Sequence, residues 1–153
     1  MTRLSDLPPT QARRLAELEC PEFETRPWVT GPELSRRRVA IVSSAGLVVR
    51  GDDPFRGRDA DYRAIPTDTE AGELLISHIS VNFDRTGAQQ DRNVVFPLDR
   101  LTEMAADGVI GSVAATHYSF MGASDPTQME SHARELAGRL KNDKVDAVIL
   151  APV

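Results

Sequence analysis

With 153 residues and 41% apolar content, the chain has the size of one domain rather than two and enough apolar residues for a real core. Its 23 acidic side chains against 18 Lys plus Arg, a formal charge of −5, offer no broad basic field for phosphate backbones, so nucleic acid is a poor partner. One cysteine cannot build an intramolecular disulfide, no apolar stretch approaches the roughly 18 residues of a membrane span, and the polar start does not read as a signal peptide; a soluble cytoplasmic protein is expected.

Residues 1–34 carry Pro8, Pro9, Pro21, Pro27 and Pro32 around one helical pattern at 10–19, where Leu15 and Leu18 share a face. They read as an arm lying on another surface, ahead of an α/β domain at 35–153. Cys20 lies in this arm between Glu19 and Pro21, where negative charge raises a thiol pKa, and it reads as structural. Arg36-Arg37-Arg38 has no second basic cluster to extend it and reads as a solvated strand entry.

The run RVAIVS at 38–43 is short, apolar and β-branched, as in a buried strand. Ser43-Ser44-Ala45-Gly46 follows it, and Gly51-Asp52-Asp53-Pro54 with Arg56-Gly57-Arg58-Asp59 marks a surface excursion. Short strands are expected at 62–66 and 74–78. Pro97 opens a helix in which Leu98, Leu101, Met104 and Ala105 recur at helical spacing, and Gly108 ends it. A strand at 109–114 follows. Asp125-Pro126, a cap residue before a first-turn proline, opens a second helix with Met129, Ala133, Leu136 and Leu140 on one stripe. The last segment, 145–153, is the most apolar strand. Alternating strands and helices over 93–153 predict parallel crossovers, hence an α/β fold of three layers: a mostly parallel sheet with helices on both faces. The final strand lacks polar alternation and is expected to be central, which makes the sequence look cut short after it.

In open α/β sheets ligands bind beyond the carboxyl ends of the strands. The expected ends are Ser43-Ser44, Ser77-His78, Thr116-His117-Tyr118-Ser119 and Val153, which would gather two imidazoles and several hydroxyls. Histidine, with an ordinary pKa of about 6.5, exchanges protons near neutrality, so His78 and His117 are the acid–base candidates; a half-buried structural histidine is the competing reading for each. Asp84, Asp91 and Asn93 form a polar knot before Pro97, able to cap turns or to meet a substrate ammonium. Tyr118 and Ser119 can hydrogen-bond a ligand or simply line the loop. Ser44 can meet an anion, yet no G-x-G-x-x-G fingerprint supports a nicotinamide site. The amides following Gly122 can face a carboxylate, although Asp125 opposes it. A metal held by His78, His117, Asp84 and Asp91 lacks any compact histidine spacing.

Several blocks together resemble one family: Arg63-Ala64-Ile65-Pro66, Ser77-His78, Asp91-x-Asn93, Phe96-Pro97-Leu98-Asp99-Arg100-Leu101, Gly108-x-Ile110-Gly111-Ser112-Val113, and His117 with Phe120-Met121-Gly122. The chain is similar over about 39–153 to the selenoprotein B subunits of glycine, sarcosine, betaine and D-proline reductases. The resemblance implies reductive cleavage of a C–N bond, with His78 and His117 as catalytic residues and Ser44, Asp84, Asp91, Asn93, Tyr118 and Gly122 around the substrate. It implies a small amine or amino acid as substrate, further reductase subunits and a dithiol reductant as partners, and a pyruvoyl group on a partner subunit. Ser80 and Phe83 depart from the family pattern where a histidine or tyrosine is common. The family's reactive selenocysteine or cysteine follows the last strand directly, so the expectation is that a UGA codon or an omitted continuation lies after Val153 and that this chain alone is inactive. A truncated homologue that binds an amine or a reductase partner without catalysis is the alternative, and an unprotected strand with an extended arm suits self-association.

Overall fold

The computed structural model describes residues 3–17, 22, 24, 26, 28–81 and 83–153; Leu18, Glu19 and Cys20 lie outside them, and with them the reading of the lone thiol. Helix α1 (Pro9–Ala16) starts with proline in its first turn and buries none of its residues. Trp28, further along the same stretch, is 91% exposed.

The sheet is organised by β1 (Arg38–Ser43), which pairs with three other strands. Its branched side chains suit a pleated surface buried on both faces, and Ala40 and Ile41 are fully buried. On one side β7 (Ala147–Ala151) runs parallel, from Val39 opposite Ala147 to Ser43 opposite Ala151. On the other side two short strands share the work: β5 (Ser112–Val113) pairs with the start of β1 and β6 (Thr116–Phe120) with its end, both parallel. Beyond β6, β3 (Tyr62–Pro66) closes the sheet in the antiparallel sense. A separate antiparallel pair is made by β2 (Leu47–Val49) and β4 (Leu74–Ile76).

Helices cover both faces of the sheet. On one, α3 (Leu98–Ala106) seats Leu98 and Leu101 with Phe96 against Val39, Ile41, Ile65 and Ile110. On the other, Leu136, Leu140 and Met129 of and beside α4 (Glu130–Asn142) pack on Val42, Tyr62, Tyr118 and Phe120. The three-layer, mostly parallel architecture expected from the sequence is therefore present.

Several local expectations change. The final strand is not central among the described residues: β7 pairs with β1 alone, so its other edge is open and Leu150 is 72% exposed. Helix α4 starts at Glu130 rather than at Asp125, because Asp125 Oδ1 accepts from the N–H and hydroxyl of Thr127 and the chain then makes i→i+3 turns through Gln128 and Met129. The strand expected at 109–114 shrinks to two residues, since the N–H groups of Val109 and Ile110 turn back to close α3 at Met104 O. Arg38 is a half-buried clamp rather than a solvated strand entry. Its guanidinium donates to Val113 O and Asp143 O and pairs with Asp143 Oδ1 at 2.7 Å, joining β1, β5 and the turn before β7. Neither β2 nor the short α2 (Arg85–Gln90) was expected; each is too short to show a period.

Candidate active site at the carboxyl end of the central strand

Three strand ends meet where β1 finishes. Ser44 N donates to Ala151 O at 3.0 Å, Val153 N donates to Ser44 Oγ at 2.9 Å, and the Ser44 hydroxyl returns to Val153 O at 3.4 Å. From the other side Gly122 N donates to Ser44 O at 2.9 Å. Only glycine fits there: a Cβ at Gly122 would lie 2.8 Å from Ser44 O and 3.0 Å from its Oγ. Ser44, Gly122 and Val153 are thus brought together as the sequence suggested. An apolar hollow of about 230 Å³ opens beside them on the α4 face, walled by Phe120, Met129, Ala133 and Leu150.

His78 arrives by another route. It follows β4, which belongs to the separate antiparallel pair and not to the parallel sheet. Gly46, at φ 64°, lets the β1–β2 turn press against it, since a Cβ there would fall 2.9 Å from His78 N and Cα; Ser77 N donates to Gly46 O at 2.8 Å. The His78 ring is 6% exposed and lies 4.8 Å from the Phe83 ring. Its Nδ1 accepts from Ser80 N at 3.1 Å, which places the proton of the neutral ring on Nε2, and Nε2 is buried without a partner among the described residues. Burial, and secondly the Arg85 guanidinium, pull the His78 pKa below its ordinary value. Near neutrality the ring is therefore an uncharged donor with one unspent N–H, a different tool from the imidazolium acid expected.

His117 does not stand at a strand end. It lies near the start of β6, fully buried, and both of its nitrogens are spent. Nδ1 accepts from Ile41 N at 2.9 Å, Nε2 meets Thr67 Oγ1 at 3.1 Å, and that hydroxyl donates to Ala114 O. The register explains the need. From Val39 to Val42 β1 advances three residues, while its partners advance five, from Val113 to Tyr118. In that break Ile41 N has no strand carbonyl, and the imidazole takes its place. Burial holds the His117 pKa down at about 4. With both nitrogens bonded inside the protein and the ring enclosed, His117 stands where the competing structural reading places it, as a substitute for the missing strand carbonyl.

Tyr118 points to the opposite face from His117, as alternation requires, with its ring edge-on to Tyr62 at 5.4 Å under α4. It is not brought to either histidine. Asp84 caps α2 through Thr86 N. Asp91 Oδ1 accepts from both Asn93 N and Asn93 Nδ2, while Asn93 Oδ1 accepts from Asp99 N and its Nδ2 reaches Asp99 Oδ2, which fixes the entry to α3. These bonds hold the Asp91 carboxyl below its usual range. His78, His117, Asp84 and Asp91 do not gather as metal ligands; among the described residues no group of three or more such side chains does.

A larger crevice, about 740 Å³, lies between the β2–β4 pair and the segment from α2 to α3, lined by Leu47, Leu74, Ile76, Ala88 and Val95 and by Arg85, Gln89, Asp91 and Arg92. It adjoins the end of β1, because Ser43 Oγ donates to Val95 O at 2.8 Å. Arg85 and Thr67 were not singled out from the sequence. An arginine seven residues after a histidine carries no signal of its own; their roles appear only when the loops are folded.

The fold is an open α/β domain whose strand ends converge at Ser44, the region where ligands sit in sheets of this kind. The chain belongs to the glycine/sarcosine/betaine reductase selenoprotein B family, whose profile matches residues 12–153. It is 32% identical over 121 residues to the D-proline reductase subunit gamma of Acetoanaerobium sticklandii, covering 77% of this chain and 49% of that protein. Similar figures hold for the glycine reductase complex component B subunit gamma of Symbiobacterium thermophilum, at 32% over 125 residues, 77% and 29%. The betaine reductase complex component B subunit beta of Peptoclostridium acidaminophilum is also 32% identical, over 124 residues, 77% and 28%. The chain thus spans about half of the first relative and under a third of the other two. No solved structure matches it.

Proposed function

We propose that this chain forms part of a reductase that cleaves the C–N bond of a small amine or amino acid of the glycine, betaine, sarcosine or D-proline kind, working with other reductase subunits and a dithiol reductant. The observation that carries the reading is the meeting of three strand ends at Ser44, which holds Val153 by both its N–H and its carbonyl. A residue placed directly after Val153 enters beside Ser44 and Gly122. Selenocysteine or cysteine there, as the family resemblance implies, supplies a soft nucleophile for the α-carbon of the amine. Ser44 fixes the approach of that residue, and Gly122 leaves the room. His78 offers its Nε2–H to an acceptor oxygen of the bound molecule, and His117 holds β1 in register from inside the sheet. Asp91, whose Oδ2 accepts no hydrogen bond among the described residues, faces a substrate ammonium, while Asp84, Asn93 and Tyr118 shape the surroundings.

The test reads the codon after Val153 and assays a chain continued through it with cysteine at that position. Dithiol-dependent release of amine from one of the four substrates, lost when that cysteine is replaced by serine, is the expected result. A UAA codon with no downstream frame, or activity indifferent to the replacement, contradicts the reading.

One observation favours a second, non-catalytic reading, in which the chain docks on a reductase subunit. The outer edge of β7 exposes Val148, Ile149 and Leu150 with unpaired backbone beside them. A stable complex with that subunit and no turnover in the assay above would select this reading.

A further inference from the structure

The crevice between the β2–β4 pair and the α2–α3 segment has a strand for one wall. Among the described residues β4 pairs with β2 alone, so its other edge is open, and Leu74, Leu75 and Ile76 all line the crevice. The ladder tells which backbone groups face that edge. Ser77 N donates to Gly46 O and Arg50 N to Glu73 O, so the hydrogen-bonded pairs are Gly46 with Ser77, Val48 with Leu75, and Arg50 with Glu73. Leu47 with Ile76 and Val49 with Leu74 are then the pairs whose backbone turns outward. Leu47 N agrees, since it donates away from β4 to Ser119 Oγ at 2.8 Å. Leu74 N is taken by Ala71 O. The N–H and C=O of Ile76 and the C=O of Leu74 are left facing away from β2 with no partner among the described residues.

The side chains of Leu74 and Ile76 pack on the cluster that holds Leu47, Ala88 and Val95, while Leu75 alternates outward and is 38% exposed. The charges of the opposite wall are matched within this chain. Arg92 pairs with Asp99 at 2.6 Å, Asp91 accepts from Asn93, and Arg85 closes on the carbonyls of Ser80 and Phe83. What the crevice leaves unmatched is therefore the backbone of a strand, and the chemistry that matches it is the backbone of another. Nor does β4 carry a charge or a proline, the usual guards of a free edge.

We propose that an extended segment of a partner subunit adds to β4 as a third, antiparallel strand in this crevice. One of its residues exchanges both backbone hydrogen bonds with Ile76, and the residue two places on donates to Leu74 O. The side chains of these two residues lie on the face of Leu74 and Ile76 and are apolar; the residue between them faces outward with Leu75. Neither of the two is proline, which has no N–H to give. The added strand runs along β4, across the crevice from Asp91. The partner is another reductase subunit, as the proposed function calls for, and the proposal rests on that reading for the partner's identity alone.

The test titrates the ¹⁵N-labelled chain with capped hexapeptides in which valine, leucine or phenylalanine alternates with threonine, and follows the amides of 74–76. At least one peptide should move the Ile76 amide saturably and slow its hydrogen exchange. N-methylation of that peptide at its apolar residues, which strips the donors aimed at β4, should weaken binding about tenfold or more, as the loss of backbone hydrogen bonds requires. N-methylation at its threonines, on the far edge, should leave binding nearly unchanged. No saturable response at Ile76 from any of the peptides, equal weakening by the two methylations, or a response confined to β7 would overturn the proposal. All of these readouts use the unaltered chain, so none depends on a variant folding. Peptide binding at Ile76 in a chain that, continued past Val153, releases no amine would leave the β4 surface standing and count against the reductase reading, so the two failures are distinguishable.

Discussion

The two histidines look alike in sequence, each next to short apolar runs, yet they occupy opposite physical situations. His117 is enclosed with every polar atom matched: it accepts from Ile41 N, reaches Thr67, and replaces a missing strand carbonyl. His78 is nearly as buried but has one matched nitrogen and one that finds no partner among the described residues. A buried donor without a partner costs about 1–3 kcal/mol, so a fold retains it where something else rewards it. The first ring stabilises the sheet; the second spends stability at the site.

The largest effect expected of this difference is on folding. His117→Ala removes a buried ring, strands Ile41 N and opens a cavity, and denaturant unfolding should show a loss of about 3–5 kcal/mol. His78→Phe should cost under about 1 kcal/mol, because it deletes the orphan N–H along with the ring nitrogens. If the two substitutions cost the same, the contrast is broken.

The pH dependence sharpens it. The folded pKa of His117, about 4, lies below the unfolded value near 6.5, so between these values the unfolded chain binds more protons. The stability this neutral ring contributes is whole above about pH 6.5 and is lost as pH falls towards 4, by at most about 3 kcal/mol. Unfolding midpoints measured from pH 7 to 4 should show this slope, and it should vanish in His117→Ala.

Smaller effects probe the strand ends and turns. Gly122→Ala sets a Cβ 2.8 Å from Ser44 O and should cost about 1–3 kcal/mol while disturbing the end of β7, visible as faster amide exchange at Val153. Asn93→Ala removes the side-chain bonds that join Asp91 to the entry of α3 and should cost about 1 kcal/mol in denaturant unfolding.

How much of this was legible beforehand depended on the range of the forces involved. The strands at 38–43 and 62–66 were read to the residue, the first because a β-branched apolar run carries its own signal. The start of α3 at Leu98 after Pro97 was legible for the same local reason. That Ser44 and Val153 meet followed from reading both as carboxyl strand ends, whereas Gly122 entered through the family resemblance and its free amides. The role of His117 was not readable, since it depends on a two-residue mismatch between β1 and its partners at 113 and 118, which no single segment displays. The edge position of β7 was missed because an apolar run records burial in a whole assembly and does not say which neighbours are present.

The most direct measurement follows the imidazole nitrogens of both histidines by ¹⁵N NMR at pH 7 as D-proline, betaine, sarcosine and glycine are added in turn. The account predicts a neutral His78 carrying its proton on Nε2, whose Nε2 signal moves saturably with at least one of these molecules while the His117 signals stay fixed. A responding His117 beside a silent His78, or a positively charged His78 at that pH, would contradict it.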